Sequence, residues 1–297
     1  MIDTHLLLTV AEVVREGSFE RAAQRLHLTP SAVSQRVRLL EDRLGTALVL
    51  RGLPCTATEA GAKLCRHADM VGLLEDELRR QLPSTAPSAS TAQTSLRLAV
   101  NADSLATWFL PALAELAQAG SAWLDVTVAD QDQTAEGLRR GQVLAAVTSQ
   151  AQAVPGCRSR RLGALRYVAT ASPRFMARWF GQGVNAESLS VAPSLVFNQD
   201  DRLQERWVKR LLRRSLPLPA HRLPSSDAFV RAALADMGWG MNPLPLVAPL
   251  LASGALMELL PDKPLDVPLY WQVVTLEVPV LDDLSACVQR HAAQQLS

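Results

Sequence analysis

Apolar residues at Leu6, Val10, Val13 and Val14 recur at i, i+4, i+7 and i+8, which lays one stripe along a first helix. Gly17 suits the end of that helix, and Ser18 suits the cap of a short second helix whose Phe19, Ala22, Ala23 and Leu26 face inward. After a turn at His27-Leu28-Thr29, Thr29 and Pro30 make an N-cap and first-position pair that opens a third helix. Two short helices joined by a tight turn outline a helix-turn-helix. At about 100° per residue, Val33, Val37, Leu40 and Leu44 share the buried stripe of the third helix. Ser31, Gln35 and Arg38 fall opposite that stripe, Ser34 lies at its edge, and Arg36 flanks the core.

Residues 47–51 read as a strand and 52–54 as its turn, the outline of a wing that carries Arg51. A helix over 58–82 repeats Leu64, Val71 and Leu78 every seven residues, with Ala60, Ala68, Leu74 and Leu82 beside them. That pattern suits pairing with a second helix; docking on its own domain is the alternative. Residues 83–95, PSTAPSASTAQTS, hold no charge and no large apolar side chain, so they read as a linker. Beyond it, candidate strands at 96–100, 124–128, 144–148, 166–170, 194–197 and 269–276 alternate with amphipathic helical patterns, as in βα units around a mainly parallel sheet. The expectation is a multidomain α/β chain. Its units are a DNA-binding winged helix-turn-helix (1–57), a long linker helix (58–82), a flexible linker (83–95) and an α/β domain (96–297).

Charge sharpens this division. The whole chain sums to +1, from 30 Lys plus Arg against 29 Asp plus Glu, which by itself disfavours a protein that coats nucleic acid. Between Arg21 and Arg66, however, eight basic residues face three acids. A solvated helix face could carry such a cluster. The turn, the caps and the outward groups of the third helix favour a DNA reader instead. Hydroxyls and Gln35 suit base edges, Arg38 suits guanine or phosphate, Arg36 suits phosphate, and Arg51 suits the minor groove or a phosphate.

In the C-terminal half, the first strand ends in Asn101-Ala102-Asp103-Ser104 with a helix starting at once, so free N–H groups and a hydroxyl meet at a strand end. Ser149 directly follows another strand, and acids sit at others: Asp130 and Asp132, then Asp200 and Asp201. Ser226 starts a further helix. Each acid alone fits a surface carboxylate or a helix cap. Together they suit a zwitterion with a basic side chain, the donors taking its carboxylate and the acids its cation.

The run SFERAAQRLHLTPSAVSQRVRLLEDRLGTALVLR, followed by TATEAGAKL, resembles the winged helix-turn-helix of LysR-type transcriptional regulators. The strings LRLAVNADSLATWFLPAL, GALRYVAT and PSSDAFVRAAL are similar to its arginine- and lysine-responsive subgroup, called ArgP or LysG. The resemblance implies that Pro30, Ser31, Ser34 and Gln35 approach bases and that Arg51 reaches the minor groove. It also implies a periplasmic-binding-protein-like effector domain of two subdomains, 96–165 with 268–297 and 166–267. Positions matched by Ser104, Gln131 and Phe197 would line its cleft, and Asp130 matches an acid that recurs in the subgroup. Two departures stand out: Ser34-Gln35-Arg36 replaces the usual Ser-Arg-Gln, and Gly240-Met241-Asn242-Pro243-Leu244-Pro245 replaces a Gly-Ile-Ala-Leu-Leu-Pro run.

The expected partners are therefore double-stranded operator DNA, a lysine or arginine effector, RNA polymerase, and further copies of the chain as a homodimer or homotetramer. The expected gene target is a basic-amino-acid exporter. No cofactor or metal is expected, since Cys55, Cys65, Cys157 and Cys287 are scattered and the five histidines do not cluster. No G-x-S-x-G, P-loop, H-E-x-x-H or G-x-G-x-x-G supports an enzyme. The apolar start lacks a basic flank, and the apolar stretch 244–260 is broken by Pro245, Pro249 and Glu258, so the reading is cytoplasmic with no membrane span. Competing readings are a ligand-binding protein whose N-terminal helices serve assembly, and a catalytic C-terminal half.

Overall fold

The computed structural model describes residues 2–82, 95–120, 122–129 and 134–297. The first three helices are α1 (Thr4–Glu16), α2 (Phe19–Arg25) and α3 (Pro30–Leu44). Their caps follow from the sequence: the Ser18 hydroxyl accepts from the N–H groups of Glu20 and Arg21, Thr29 accepts from Ala32, and Gly17 and Gly45 end α1 and α3 in the left-handed conformation. Val10, Val13, Val33, Val37 and Leu40 close a small core with Leu48 and Leu64. Leu44, expected in that stripe, is exposed, because the last turn of α3 runs past the helices that cover Val37 and Leu40. The wing is a two-stranded hairpin in which β1 (Val49–Leu50) pairs antiparallel with β2 (Thr56–Ala57). Its return strand is too short to show a period in the sequence.

Helix α4 (Glu59–Gln81) starts at the Thr58 cap and serves two cores. Leu64, Cys65 and Ala68 pack into the helix-turn-helix unit, whereas Leu73 belongs to the core of the C-terminal domain. Residues 83–94 of the expected linker lie outside the described residues, and Ser95 already belongs to a strand.

The C-terminal domain begins with β3 (Ser95–Val100) and α5 (Ala102–Ser104), which runs through a π-helical turn at Leu105–Phe109 into α6 (Leu110–Gln118). Pro111 sits at the second position of α6, just after the π-helical turn, so its missing N–H falls within a continuous helical run rather than at a free helix start. There follow β4 (Trp123–Val128), α7 (Thr134–Arg139), β5 (Ala145–Thr148), β6 (Cys157–Ala171), α8 (Pro173–Trp179), α9 (Ala186–Val191) and β7 (Ser194–Val196). The chain continues with α10 (Leu203–Leu212), β8 (Ala220–Arg222), α11 (Ser226–Leu234), β9 (Gly240–Pro243), α12 (Leu244–Ala252), β10 (Met257–Glu258), β11 (Leu265–Val274) and α13 (Pro279–Gln295).

Among the described residues the main sheet runs β10-β6-β11-β5-β3-β4, with β9 also on β6. Strand β3 pairs parallel with β4 and β5, but β11 pairs antiparallel with β5 and β6, and β6 pairs antiparallel with β9 and β10. The sheet is thus mixed rather than mainly parallel. The reason is β6, a 15-residue strand of which only 166–170 is apolar enough to read as one. Its first half carries Arg158, Arg160 and Arg161, and its partner β11 contains Pro268, so neither shows its full length as a hydrophobic pattern. Trp108, Phe109 and Trp271 pack edge to face or tilted in the main core, while Val168, Leu195 and Phe229 centre a second cluster beneath α11 and α12.

Candidate DNA interface and effector cleft

On α3, Pro30, Ser31, Gln35 and Arg38 are exposed, while Ser34 and Arg36 are half-buried at the margins of the face. The outward row expected from the helical period is present, and no other described element covers it. Arg51 is exposed on the wing, with its guanidinium 5.1 Å from the centre of the Phe19 ring at the start of α2. That stacking holds the charge beside the helix-turn-helix.

Helix α4 ties this unit to the C-terminal domain through two groups. Arg66 donates to the carbonyls of Pro155 (3.1 Å), Arg139 (3.1 Å) and Leu138, so its guanidinium caps the C-terminus of α7. Asp69 accepts from Arg15 on α1 (3.2 Å) and from Arg97 on β3. Arg15 also bonds Glu12 at 2.6 Å. One buried carboxylate therefore joins three units of the chain. Neither Asp69 nor Arg97 stood out in the sequence, because ion pairs between residues 28 positions apart leave no local pattern.

Burial pushes the Asp69 carboxyl up, and Arg97 and Arg15 offset this only in part. The folded state thus holds the proton more tightly than the unfolded chain, and the contribution to stability is largest at low pH and is lost as pH rises through the raised value. Asp69→Asn is expected to cost about 2 kcal/mol or more at neutral pH, because it removes the buried countercharge that Asp69 supplies to Arg97 and Arg15. On descending in pH the deficit should widen, since wild type gains as Asp69 takes up its proton; a variant as stable as wild type at neutral pH, or one that gains on it in acid, contradicts the reading. Denaturant melts from pH 4 to pH 8 measure both.

The C-terminal domain has a cleft lined by Asn101, Ala102, Asp103, Ala129, Phe197, Asp201, Leu203, Ser226, Phe229, Met241, Asn242 and Pro243. Five of the residues expected to meet a ligand converge there: Asn101, Asp103, Phe197, Asp201 and Ser226. Ser104 is fully buried next to it, its hydroxyl without a partner among the described residues, and Ser149 is half-buried; neither is among the described lining residues. Asp130 and Gln131, like Asp132, lie outside the described residues. Phe229, Met241 and Asn242 come from α11 and β9, where the sequence offered only an unusual Gly-Met-Asn-Pro run.

The polar groups of the cleft differ in how they are held. Asn101 caps α5 without using its side chain, and both its amide atoms are buried without a partner among the described residues. Asp103 accepts from Ser226 Oγ at 2.6 Å and from Tyr167 OH at 2.8 Å. Asp201 accepts from the backbone N–H groups of Phe197 (2.9 Å) and Leu203 (3.0 Å), which fixes the turn before α10. A helix start, an orphaned amide and a carboxylate in one cleft offer donors to an anion and an acceptor to a cation. Among the described residues no helix is long and apolar enough to cross a membrane.

Known proteins agree with this arrangement. Residues 4–62 match the model of the bacterial regulatory helix-turn-helix protein, lysR family, and residues 89–293 match the LysR substrate binding domain. The chain is 43% identical over 297 residues to the HTH-type transcriptional regulator LysG of Mycobacterium tuberculosis, covering 99% of this chain and 96% of that one. It is 44% identical over 271 residues to the regulator ArgP of Pseudomonas fluorescens, covering 91% and 90%. The crystal structure of ArgP from Mycobacterium tuberculosis superposes with a TM-score of 0.87 at 42% identity, covering 100% and 99%. Full-length LysG from Corynebacterium glutamicum with bound effector Arg superposes with a TM-score of 0.77 at 36% identity, covering 99% of both. These are regulators rather than enzymes, and the chain belongs to the LysR family of DNA-binding transcriptional regulators.

Proposed function

We propose that this regulator senses lysine or arginine in its cleft and, in the cytoplasm, controls a gene for export of basic amino acids. The observation that carries the effector reading is the meeting of Asp103, the start of α5 and the buried amide of Asn101, unpartnered among the described residues, in one cleft. A zwitterion places its carboxylate at the helix start and its cationic side chain against a carboxylate. The arginine bound to the Corynebacterium glutamicum relative supports the same class of ligand.

On the DNA side, Pro30, Ser31, Ser34 and Gln35 approach bases, Arg38 takes guanine or phosphate, Arg36 meets the backbone, and Arg51 reaches the minor groove. Leu74, Leu78 and Leu82 are exposed along the outer half of α4, which suits pairing with the same helix of a second copy. A dimer, or a pair of dimers, then presents two recognition helices about one DNA turn apart. The effector acts by binding one DNA-bound arrangement more tightly than another, and RNA polymerase reads the result.

Arg38→Ala tests the reading of DNA. Operator affinity should fall about 10- to 100-fold, as for loss of one bidentate base contact, while affinity for random DNA changes far less. A uniform loss across all sequences would reduce Arg38 to a phosphate contact. Calorimetry with lysine, arginine and neutral amino acids tests the cleft; equal binding of neutral and basic ligands would end the effector assignment.

A further inference from the structure

Strand β9 is buried along its whole length, yet it brings a side-chain amide, that of Asn242, to the wall of the cleft. Resting on the reading of the cleft as a site for a basic amino acid, we propose that Asn242 is a specificity-determining residue whose amide oxygen accepts a hydrogen bond from a nitrogen of the effector. Thr170 on β6 is its positioning residue.

The amide is oriented from its nitrogen end. Asn242 Nδ2 donates to Thr170 Oγ1 at 2.9 Å and to the Gly240 carbonyl at 3.4 Å, which engages both of its N–H groups. The reverse orientation would set the amide oxygen against the Gly240 carbonyl oxygen, two acceptors with no proton between them. Oδ1 is therefore the end left over, and it is buried without a partner among the described residues. The backbone gives it no freedom to turn elsewhere, since Asn242 is held in register opposite Val168 on β6. A buried acceptor without a donor is disfavoured by about as much as a lost hydrogen bond. Asparagine is also a poor strand former, so an apolar residue would suit a site 1% exposed far better unless the oxygen has a partner to meet.

The cleft is where that partner enters. Asn101 reaches the same cleft from the end of β3, 3% exposed, with both amide atoms also unpartnered among the described residues. Two strands distant in sequence thus bring two unmet amide oxygens and one unmet amide nitrogen to one place. Lysine and arginine carry N–H donors on the α-ammonium and on the side chain, and a neutral amide oxygen accepts from either without needing a charge of its own.

The test is calorimetry of the full chain with arginine and lysine, run beside thermal melts. Asn242→Leu keeps the volume and removes the acceptor, and should weaken both ligands about 5- to 20-fold. Asn242→Asp keeps an oxygen acceptor whether ionised or protonated, and should bind them within about threefold of wild type or more tightly. A purely structural amide predicts the opposite order, because a buried carboxylate disturbs the fold more than a buried leucine. Thr170→Val should weaken binding by a smaller factor, and in the Asn242→Leu background should weaken it no further, since the group it positions is gone. Unchanged binding in Asn242→Leu, weaker binding in Asn242→Asp than in Asn242→Leu, or additive losses in the double variant overturns the assignment. If Asn242→Leu fails to fold, Asn242→Ala takes its place with the same expectation. A wild-type chain that binds neither arginine nor lysine overturns the proposed function itself.

Discussion

Gly61→Ala should cost about 3 kcal/mol or more and abolish tight DNA binding, although alanine is the better helix former by about 1 kcal/mol. A Cβ on Gly61 would stand 1.9 Å from the carbonyl oxygen of Leu48 and 2.9 Å from its carbon. That carbonyl cannot retreat. It accepts the N–H of Thr58 at 3.0 Å, and the Leu48 N–H donates to Glu41 Oε1 at 2.8 Å, so the chain entering the wing is pinned on both sides. Relief requires α4 to lift off the wing, which opens the core at Leu48 and Leu64. Gly72→Ala on the same helix is the control. Nothing lies within 4 Å of its would-be Cβ, so that variant should gain up to about 1 kcal/mol. Thermal and denaturant melts of both variants decide the matter, and a Gly61→Ala protein as stable as Gly72→Ala would refute the contact.

Gln272→Leu should be comparably severe in the C-terminal domain, by about 3 kcal/mol, despite preserving volume and adding apolarity. Gln272 is fully buried on β11. Its Oε1 accepts from Val154 N–H at 2.9 Å, and its Nε2 donates to the carbonyls of Gln150 and Gln152, both at 2.9 Å. Leucine would remove the partner of the buried Val154 N–H and one partner from each of the Gln150 and Gln152 carbonyls just beyond β5, each bond worth about 1 kcal/mol. The segment so released directly follows Ser149. Hydrogen exchange at Val154 should rise with the drop in melting temperature; an unchanged Val154 amide would show that the loop is held by other means.

Which of these features a reader of the chain could have found depends on the distance over which each acts. Thr29-Pro30, Ser18, Gly17 and Gly45 act within one turn, so the helices of the DNA-binding unit and the outward row Ser31, Gln35 and Arg38 follow from local spacing. Asn101, Asp103 and Ser226 were legible because strand ends and helix starts gather ligands in α/β domains. The mixed sheet was not legible, since β6 disguises half its length with arginines that face solvent. Asp201 was legible as a strand-end acid, but its bonds to the Phe197 and Leu203 N–H groups appear only in the structure.

By itself the sequence determined the helices and caps of the N-terminal unit, the outward face of α3, and the family to which the chain belongs. These rest on periodicity, caps and local charge, all short-range. The tertiary structure decided that Asp103 and Asp201, among the described acids, line one cleft, and that Asp69 links Arg15 to Arg97 across three units. It also decided that Leu48 leaves no room beside Gly61. Such contacts join residues that are near only after the chain has folded, and burial then sets their strength, so no local pattern could record them.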